Sequence, residues 1–295
     1  HTVAVFMVAL GQFIAVFWIV ALQSWMQTPD GAVIVDGRYQ VYDWLAVIFN
    51  ASVGWRIAQT TVGAALCVAF LMMGVTALQA LRRPLEDGEK RAFKAALILA
   101  ACASVLQIPV GIELGKIAAR YQPAKAAAAM AYWHSSTTPE LVLLAWPDKH
   151  DHENLGAITL PNRGGSWLKQ DSKGVYQGLD HYAGMGPPVA LTFWSLRVAV
   201  LLGLSMLLVS WLTLLGTLRR GLDPSALPSW WLRILIGMMF SGSMAVVAGW
   251  WVNIIGSQPY IVSNTITQAE VLGGVSRGAL AWSLGGYILV YGGLL

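Results

Sequence analysis

The side chains best able to bind a heme iron or a metal are the five histidines, His1, His134, His150, His152 and His181, and none lies centrally in an apolar run. A heme held between membrane helices needs His, Met or Cys at depth. Methionines are available at Met7, Met26, Met72, Met73, Met206, Met238, Met239 and Met244, but an unbranched Met in an apolar helix is usually gap-filling core. From these residues alone, a His-ligated heme within the runs is not expected. Cys67 and Cys102 each sit in an apolar run with no His or Cys beside them, and they read as buried, unreactive thiols. His150-Asp151-His152-Glu153 has the composition of a divalent-metal cluster. Zinc would need a further ligand placed by the fold, so the stretch reads as a solvated loop and no metal is expected.

Charges inside apolar runs say more. Arg197 lies three residues after Trp194, and Glu113 sits near the end of the third run. An intramembrane charge is costly and faces protein, water or an anionic group, unless its long stem snorkels to the interface. Gln23, Gln27, Gln59, Asn253 and Gln258 stand at depth or at run ends, where interhelical hydrogen bonding is the default role. There is no P-loop, G-x-S-x-G or H-E-x-x-H, so no catalytic residue is assigned.

These residues need a scaffold, and composition sets its class. Hydrophobic residues make up 56% of the chain and charged residues 12%, against about 25% charged in a soluble domain. Such a chain uses lipid as part of its solvent. Six apolar stretches, 2–23, 57–81, 93–112, 188–218, 230–252 and 278–295, are each long enough to cross about 30 Å of hydrocarbon. The fold expected is therefore an all-α integral membrane protein of about six transmembrane helices. Residues 1–112 would hold the first three, 113–187 a long polar loop, and 188–295 the last three. An Ala-rich run, Ala124 to Ala131, reads as a short helix lying on the membrane. No paired broken helices of the transporter kind are evident, although glycines near Pro109 and Gly256 leave that open, and Gly164-Gly165 and Gly273-Gly274 read as loop punctuation.

The net charge of +4 does not point to nucleic acid, because the basic residues flank apolar runs. Arg82, Arg83, Lys90, Arg91 and Lys94 fill one tight turn, and Arg219, Arg220 and Arg233 another. The segments 24–56 and 253–277 hold only Arg38, Arg56 and Arg277. The positive-inside rule then puts both tight turns and His1 in the cytoplasm and the long loop outside. Trp25, Trp55, Trp194, Trp211, Trp230, Trp231, Trp250 and Trp251 sit in or near helix ends, where indoles favour the headgroup region.

Four strings in register carry a family resemblance. They are Ala21-Leu22-Gln23-Ser24-Trp25-Met26-Gln27-Thr28-Pro29; Tyr121-Gln122-Pro123-Ala124-Lys125 with Trp133 and Trp146-Pro147-Asp148; Gly178-Leu179-Asp180 with Pro187-Pro188 and Phe193-Trp194-Ser195-Leu196-Arg197; and Ala248-Gly249-Trp250-Trp251-Val252 with Gly256-Ser257-Gln258-Pro259-Tyr260. Over nearly its whole length the chain resembles helices four to nine of subunit I of the cytochrome bd-type quinol oxidases. The resemblance implies three further helices before His1. It also implies a quinol-binding loop that opens around Gln122, Lys125 and Trp133. Gln27, Arg197 and Gln258 are, from their types and depth alone, candidate pocket or interhelical polar residues.

The resemblance also shows departures. The family's low-spin heme b lies between a His and a Met, and those positions fall on Gln59 and Ala199. An Arg of the last string is Ser257 here, one family glutamate falls on Ile254 or its neighbour, and another falls on Met130. The implied low-spin heme b is therefore expected to be absent from this segment. The high-spin heme b and heme d depend on the helices before His1. Three readings stand. In the first, a diverged subunit-I paralogue serves a structural or partner role in a bd-type respiratory oxidase of the bacterial inner membrane. Its partners would be the lipid bilayer and a subunit II or a complete subunit I, with c-type cytochromes a further candidate. In the second, the chain is a working quinol:oxygen oxidoreductase subunit with substituted heme ligands, and quinol is its substrate. In the third, a transporter or scaffold uses the same fold.

Overall fold

A computed structural model describes residues 2–182, 184–271 and 276–294. The expectations placed on His1 and on Gly273-Gly274 lie outside the described residues. In chain order the elements are α1 (Thr2–Gln27), β1 (Ala32–Val35), β2 (Arg38–Val41), α2 (Trp44–Ile48), α3 (Val53–Arg82), α4 (Asp87–Tyr121), α5 (Pro123–Ala129), β3 (Leu141–Asp148), β4 (Glu153–Leu160), α6 (Val189–Thr217), α7 (Ser229–Gly237), α8 (Ser241–Ile255), β5 (Tyr260–Val262), β6 (Ile266–Thr267), α9 (Gln268–Val271) and α10 (Arg277–Leu294).

Five helical segments are long and apolar enough to cross a membrane: α1, α2–α3, α4, α6 with its last turn, and α7–α8. The sixth expected span corresponds to α10, with 18 residues. The chain is a multi-pass membrane protein. Lipid supplies no hydrophobic drive between helices, so they hold together by close packing and polar contacts. On α3 the buried Leu66, Phe70, Met73 and Ala77 recur every three or four residues, and on α4 Phe93, Leu97 and Ala100 do the same. These two stripes meet, and Met206 of α6 and Leu232 and Leu235 of α7 complete the core. Where α8 crosses α3 a side chain at Gly242 would lie 2.7 Å from the Cys67 Cα, so the crossing needs glycine there.

The two basic tight turns share one end of the bundle. Lys90 Nζ meets Asp223 Oδ2 at 2.9 Å, which links them directly. In the first turn Glu86 and Glu89 form a capping box that starts α4, and Glu89 also pairs with Arg83 at 2.5 Å.

Several expectations change. The fifth apolar stretch is not one helix: α7 ends at Gly237, and Met238–Phe240 form a turn before α8. Gly237, Ser241, Gly242 and Ser243 are weak helix formers, and Ser241 Oγ donates to the Met238 carbonyl at 2.7 Å. α4 runs on to Tyr121, into the stretch read as the start of the long loop. The Ala-rich α5 is the short helix expected, and it is packed into the protein. Ala126, Ala127, Ala128 and Ala129 are buried, because small side chains let α5 pack against α4 and α6. Cys102 is exposed on the face of α4 turned away from the core, not buried. Two hairpins lie in segments read as loops: β1–β2, closed by Asp36-Gly37 with both φ positive, and β3–β4.

Candidate functional site

At the end opposite the tight turns, polar side chains from four helices meet. The last turn of α1 brings Gln27, the first turn of α3 brings Arg56, α5 brings Lys125 and α8 brings Asn253. Gln27 Nε2 donates to Asn253 Oδ1 at 2.6 Å. The Arg56 guanidinium donates to Gln27 Oε1, to Asn253 Oδ1 at 3.3 Å and to Ser52 Oγ at 3.2 Å. Lys125 Nζ reaches the same two amide oxygens, Gln27 Oε1 at 3.4 Å and Asn253 Oδ1 at 3.2 Å. Gln122 Nε2 donates to the Gln27 carbonyl at 3.1 Å and to Ser263 Oγ at 2.9 Å. The network is buried: Gln27 is 6% exposed and Lys125 8%. Burial holds the Lys125 ammonium well below the usual lysine range, and the Arg56 charge pushes it the same way. The three ion pairs among the described residues all lie elsewhere, so neither cation here has a carboxylate partner.

A second polar knot pins α1 to the start of α3. Asn50 Oδ1 accepts from Thr28 Oγ1 at 2.8 Å, and Asn50 Nδ2 donates to Ser24 Oγ at 2.9 Å. Ser52 closes it with its backbone N–H on Asn50 Oδ1 at 3.2 Å.

Beside Lys125 is a cavity of about 60 Å³ lined by Gln122, Lys125, Tyr182, Gln258, Tyr260 and Ser263. Gly256 borders it, and a Cβ there would press the Lys125 Cγ at 3.1 Å and the Val252 carbonyl at 2.4 Å. Glycine lets the lysine stem pass. Burial pushes the Tyr182 phenol up to about 12, so it is neutral, and its OH donates to Gln177 Oε1 at 2.5 Å.

The other sequence-selected residues lie apart from this cluster. Arg197 does not snorkel. It is 8% exposed, and its guanidinium donates to the carbonyls of Ala129, of Val142 at 2.5 Å and of Leu143 at 3.2 Å, while stacking 3.7 Å from the Phe193 ring centre. It clamps β3 and the end of α5 onto α6. Trp133 packs in the small core under the β3–β4 hairpin and donates to Asn154 Oδ1 at 3.1 Å. Glu113 pairs with Lys116 one turn on, at 2.6 Å. Gln59 Oε1 is buried and has no hydrogen-bond partner, and Ala199 on α6 is half-buried. These two positions, where the resemblance puts the axial ligands of the low-spin heme, do not fit that group. Alanine has no donor atom, and an amide is a poor iron ligand beside imidazole and thioether. His150 sits in the tip of β3–β4, its backbone N–H on Asp148 Oδ1 at 2.8 Å, and the described residues hold no group of three metal-ligating side chains. Arg56 and Asn50 were missed as site residues. The available signal was that Arg56 lies one turn before Gln59 on the same helical face.

Asp180 fastens the segment after the hairpin. The Ser135 N–H and Oγ donate to its carboxylate at 3.0 Å and 2.7 Å. Partial burial alone would raise this carboxyl, but the Ser135 hydrogen bonds outweigh it and the carboxyl lies below its ordinary range. A lowered folded value means stabilisation that is present above the unfolded value of about 3.9 and is lost as pH falls through the folded one. Limited proteolysis of residues 134–181 should accelerate below about pH 4, and Asp180→Asn should cleave at one rate throughout that range. A wild-type rate that stays flat down to pH 2 would contradict this.

The sequence model of the cytochrome bd terminal oxidase subunit I family matches residues 1–295. The chain is 30% identical over 307 residues to the cytochrome bd ubiquinol oxidase subunit 1 of Bacillus subtilis, covering 99% of this chain and 64% of that protein. It is 23% identical to the cytochrome bd-II ubiquinol oxidase subunit 1 of Escherichia coli, covering 96% of this chain and 68% of the relative. Its fold matches a chain of the bd oxidase from Geobacillus thermodenitrificans with a TM-score of 0.80 at 23% identity, over 96% of this chain and 65% of that one. The chain thus spans about two thirds of the length of these relatives.

Proposed function

This chain belongs to the cytochrome bd terminal oxidase subunit I family, and from that premise we propose that it is a diverged subunit-I component of a bd-type respiratory oxidase complex. In this reading it does not hold the low-spin heme b and serves a structural or partner role. The observation that carries the reading is the pair Gln59 and Ala199, which offers iron no imidazole and no thioether. A second supports it. Gln122 and Lys125, at the opening of the quinol-loop-like segment, spend their polar atoms tying α5 to α1, α8 and Ser263. Electrons that reach oxygen in such a complex would then enter through a partner subunit.

The domain reading goes with this. Residues 113–187 form the extracytoplasmic segment between two membrane-embedded parts, 1–112 and 188–295, in the bacterial inner membrane. The common end of the two basic turns supports that orientation, because the end richer in Lys and Arg is the cytoplasmic one. Partners in this reading are a subunit II or a complete subunit I. High-spin heme b and heme d would belong to helices outside this sequence.

The alternative, a working quinol:oxygen oxidoreductase with substituted ligands, has one observation on its side: the buried, unpartnered Gln59 Oε1. Affinity purification of the full-length protein from its native membrane separates the roles. Recovery with other oxidase subunits supports the component reading. A chain that purifies alone and oxidises quinol by itself overturns it.

A further inference from the structure

The β3–β4 hairpin is apolar on both faces, and only one of them is covered. The inner face, with Val142 and Ala145, packs with Trp133, Val189 and Phe193 in the small core. The outer face carries Leu144 opposite Ile158 and Trp146 opposite Leu155. Directly opposed residues of an antiparallel ladder share a face, so these four form one patch. Trp146 is 63% exposed and Ile158 57%, and Leu144 and Leu155 are exposed with them. Residues 141–147 and 154–160 hold no charged side chain, and the charges gather at the tip, on Asp148, Lys149, Asp151 and Glu153. A hairpin with water on its outer face alternates polar with apolar residues, and this one does not.

The patch is continuous with the bilayer-facing surface of α6. Leu191, Trp194, Val198 and Leu201 follow one another at steps of three or four residues and so line one face of that helix. Leu191, Val198 and Leu201 are exposed on it, and the Trp146 ring packs on Trp194 with 6.2 Å between ring centres. The depth of the contact follows from the helix. The span that α6 opens, Val189–Arg220, has 32 residues, which is about 48 Å of helix against about 30 Å of hydrocarbon. Its first turns therefore stand at headgroup level. There the Arg197 guanidinium, turned back over Phe193, holds the Val142 and Leu143 carbonyls of β3. Phe193 is four residues into α6, about 6 Å from its start.

We propose that the outer face of the β3–β4 hairpin is a membrane-docking surface, covered by phospholipid at the boundary between headgroups and acyl chains. Leu144, Trp146, Leu155 and Ile158 enter that boundary, to a depth of about 5–10 Å, and the charged tip stays in water. The unpaired ladder edges of a two-stranded hairpin keep it out of the hydrocarbon core, and an indole such as Trp146 favours the boundary itself. The patch and its depth are the same whether or not any heme is bound, so the inference stands apart from the reading of Gln59 and Ala199.

The test uses the full-length protein in its native membrane. p-Benzoylphenylalanine, which on illumination inserts into neighbouring C–H bonds, replaces Leu155, Ile158 or, as a control, Lys149 at the tip. All three side chains are exposed, so the protein should fold with each replacement. After illumination the chain is purified and its adducts are weighed by mass spectrometry. Phospholipid adducts are expected at positions 155 and 158, at least about fivefold more often than at position 149. Ile158→Asp places a charge at the centre of the patch and should cut the lipid adduct at position 155 at least about threefold, with Tm unchanged. Adducts to another polypeptide at positions 155 and 158 would assign the face to a partner subunit and overturn the proposal. Equal lipid yields at stem and tip, no lipid adduct at the stem, or a yield unaffected by Ile158→Asp overturn it as well.

Discussion

Arg197→Met will destabilise the protein by on the order of 3–5 kcal/mol, the largest single-residue effect expected in the chain. Arg197 is buried within α6, and three backbone carbonyls, those of Ala129, Val142 and Leu143, turn toward it. Methionine fills similar volume but donates nothing. All three acceptors would lose this donor in a place where water does not replace it. The stacking on Phe193 would go too. Because these carbonyls lie in β3 and at the end of α5, the damage should spread to the hairpin before the helices. Limited proteolysis at the hairpin tip, residues 149–153, should accelerate together with a fall in Tm. Arg197→Lys should recover only part of the loss, since a point ammonium cannot span three carbonyls as a planar fork does. A melting temperature and a cleavage rate equal to wild type in Arg197→Met would refute the clamp.

Asn50→Leu comes second, at about 2–4 kcal/mol. Its amide is donor and acceptor at once: it accepts from Thr28 and Ser52 and donates to Ser24 and to the Val47 carbonyl at 3.1 Å. Leucine at that point would leave Ser24, Thr28 and Ser52 buried with a lost partner each. They join α1 to the start of α3, where Arg56 is launched, so the polar cluster should loosen with them. Trypsin should then reach Arg38, on the exposed β1–β2 hairpin between these helices, faster than in wild type. Unchanged cleavage at Arg38 together with an unchanged Tm would show that the knot does not hold α1.

The sequence made the apolar spans legible because a run of about twenty apolar residues has few other uses. It also made the two basic turns legible, and Lys90 with Asp223 shows them meeting. Pattern failed where a local signal was overridden or subtle. The fifth span looks continuous by hydropathy, and its break at Met238–Phe240 depends on Ser241 capping a carbonyl. The Ala-rich segment reads as a helix, but composition does not say that so little side-chain volume lets it sink between α4 and α6. Asp36-Gly37 was the hairpin signal in plain view. Within the site, Gln27, Gln122 and Lys125 were singled out one by one, yet only the fold brings them to Arg56 and Asn253, which are distant in sequence. Trp133, chosen with them, faces a different core because α5 turns it away, and Arg197 serves the hairpin rather than the cluster.

The central claim is that this chain does not hold the low-spin heme b of its family. It is tested most directly by pyridine hemochrome quantitation, with a reduced-minus-oxidised absorption spectrum, on the purified full-length complex, counted per copy of this chain. The account predicts no six-coordinate low-spin heme b assignable to the chain, and the same heme content in the complex after Gln59→Ala. One low-spin heme b per chain, lost on substitution of Gln59, would contradict it and make Gln59 an iron ligand in a working quinol oxidase subunit.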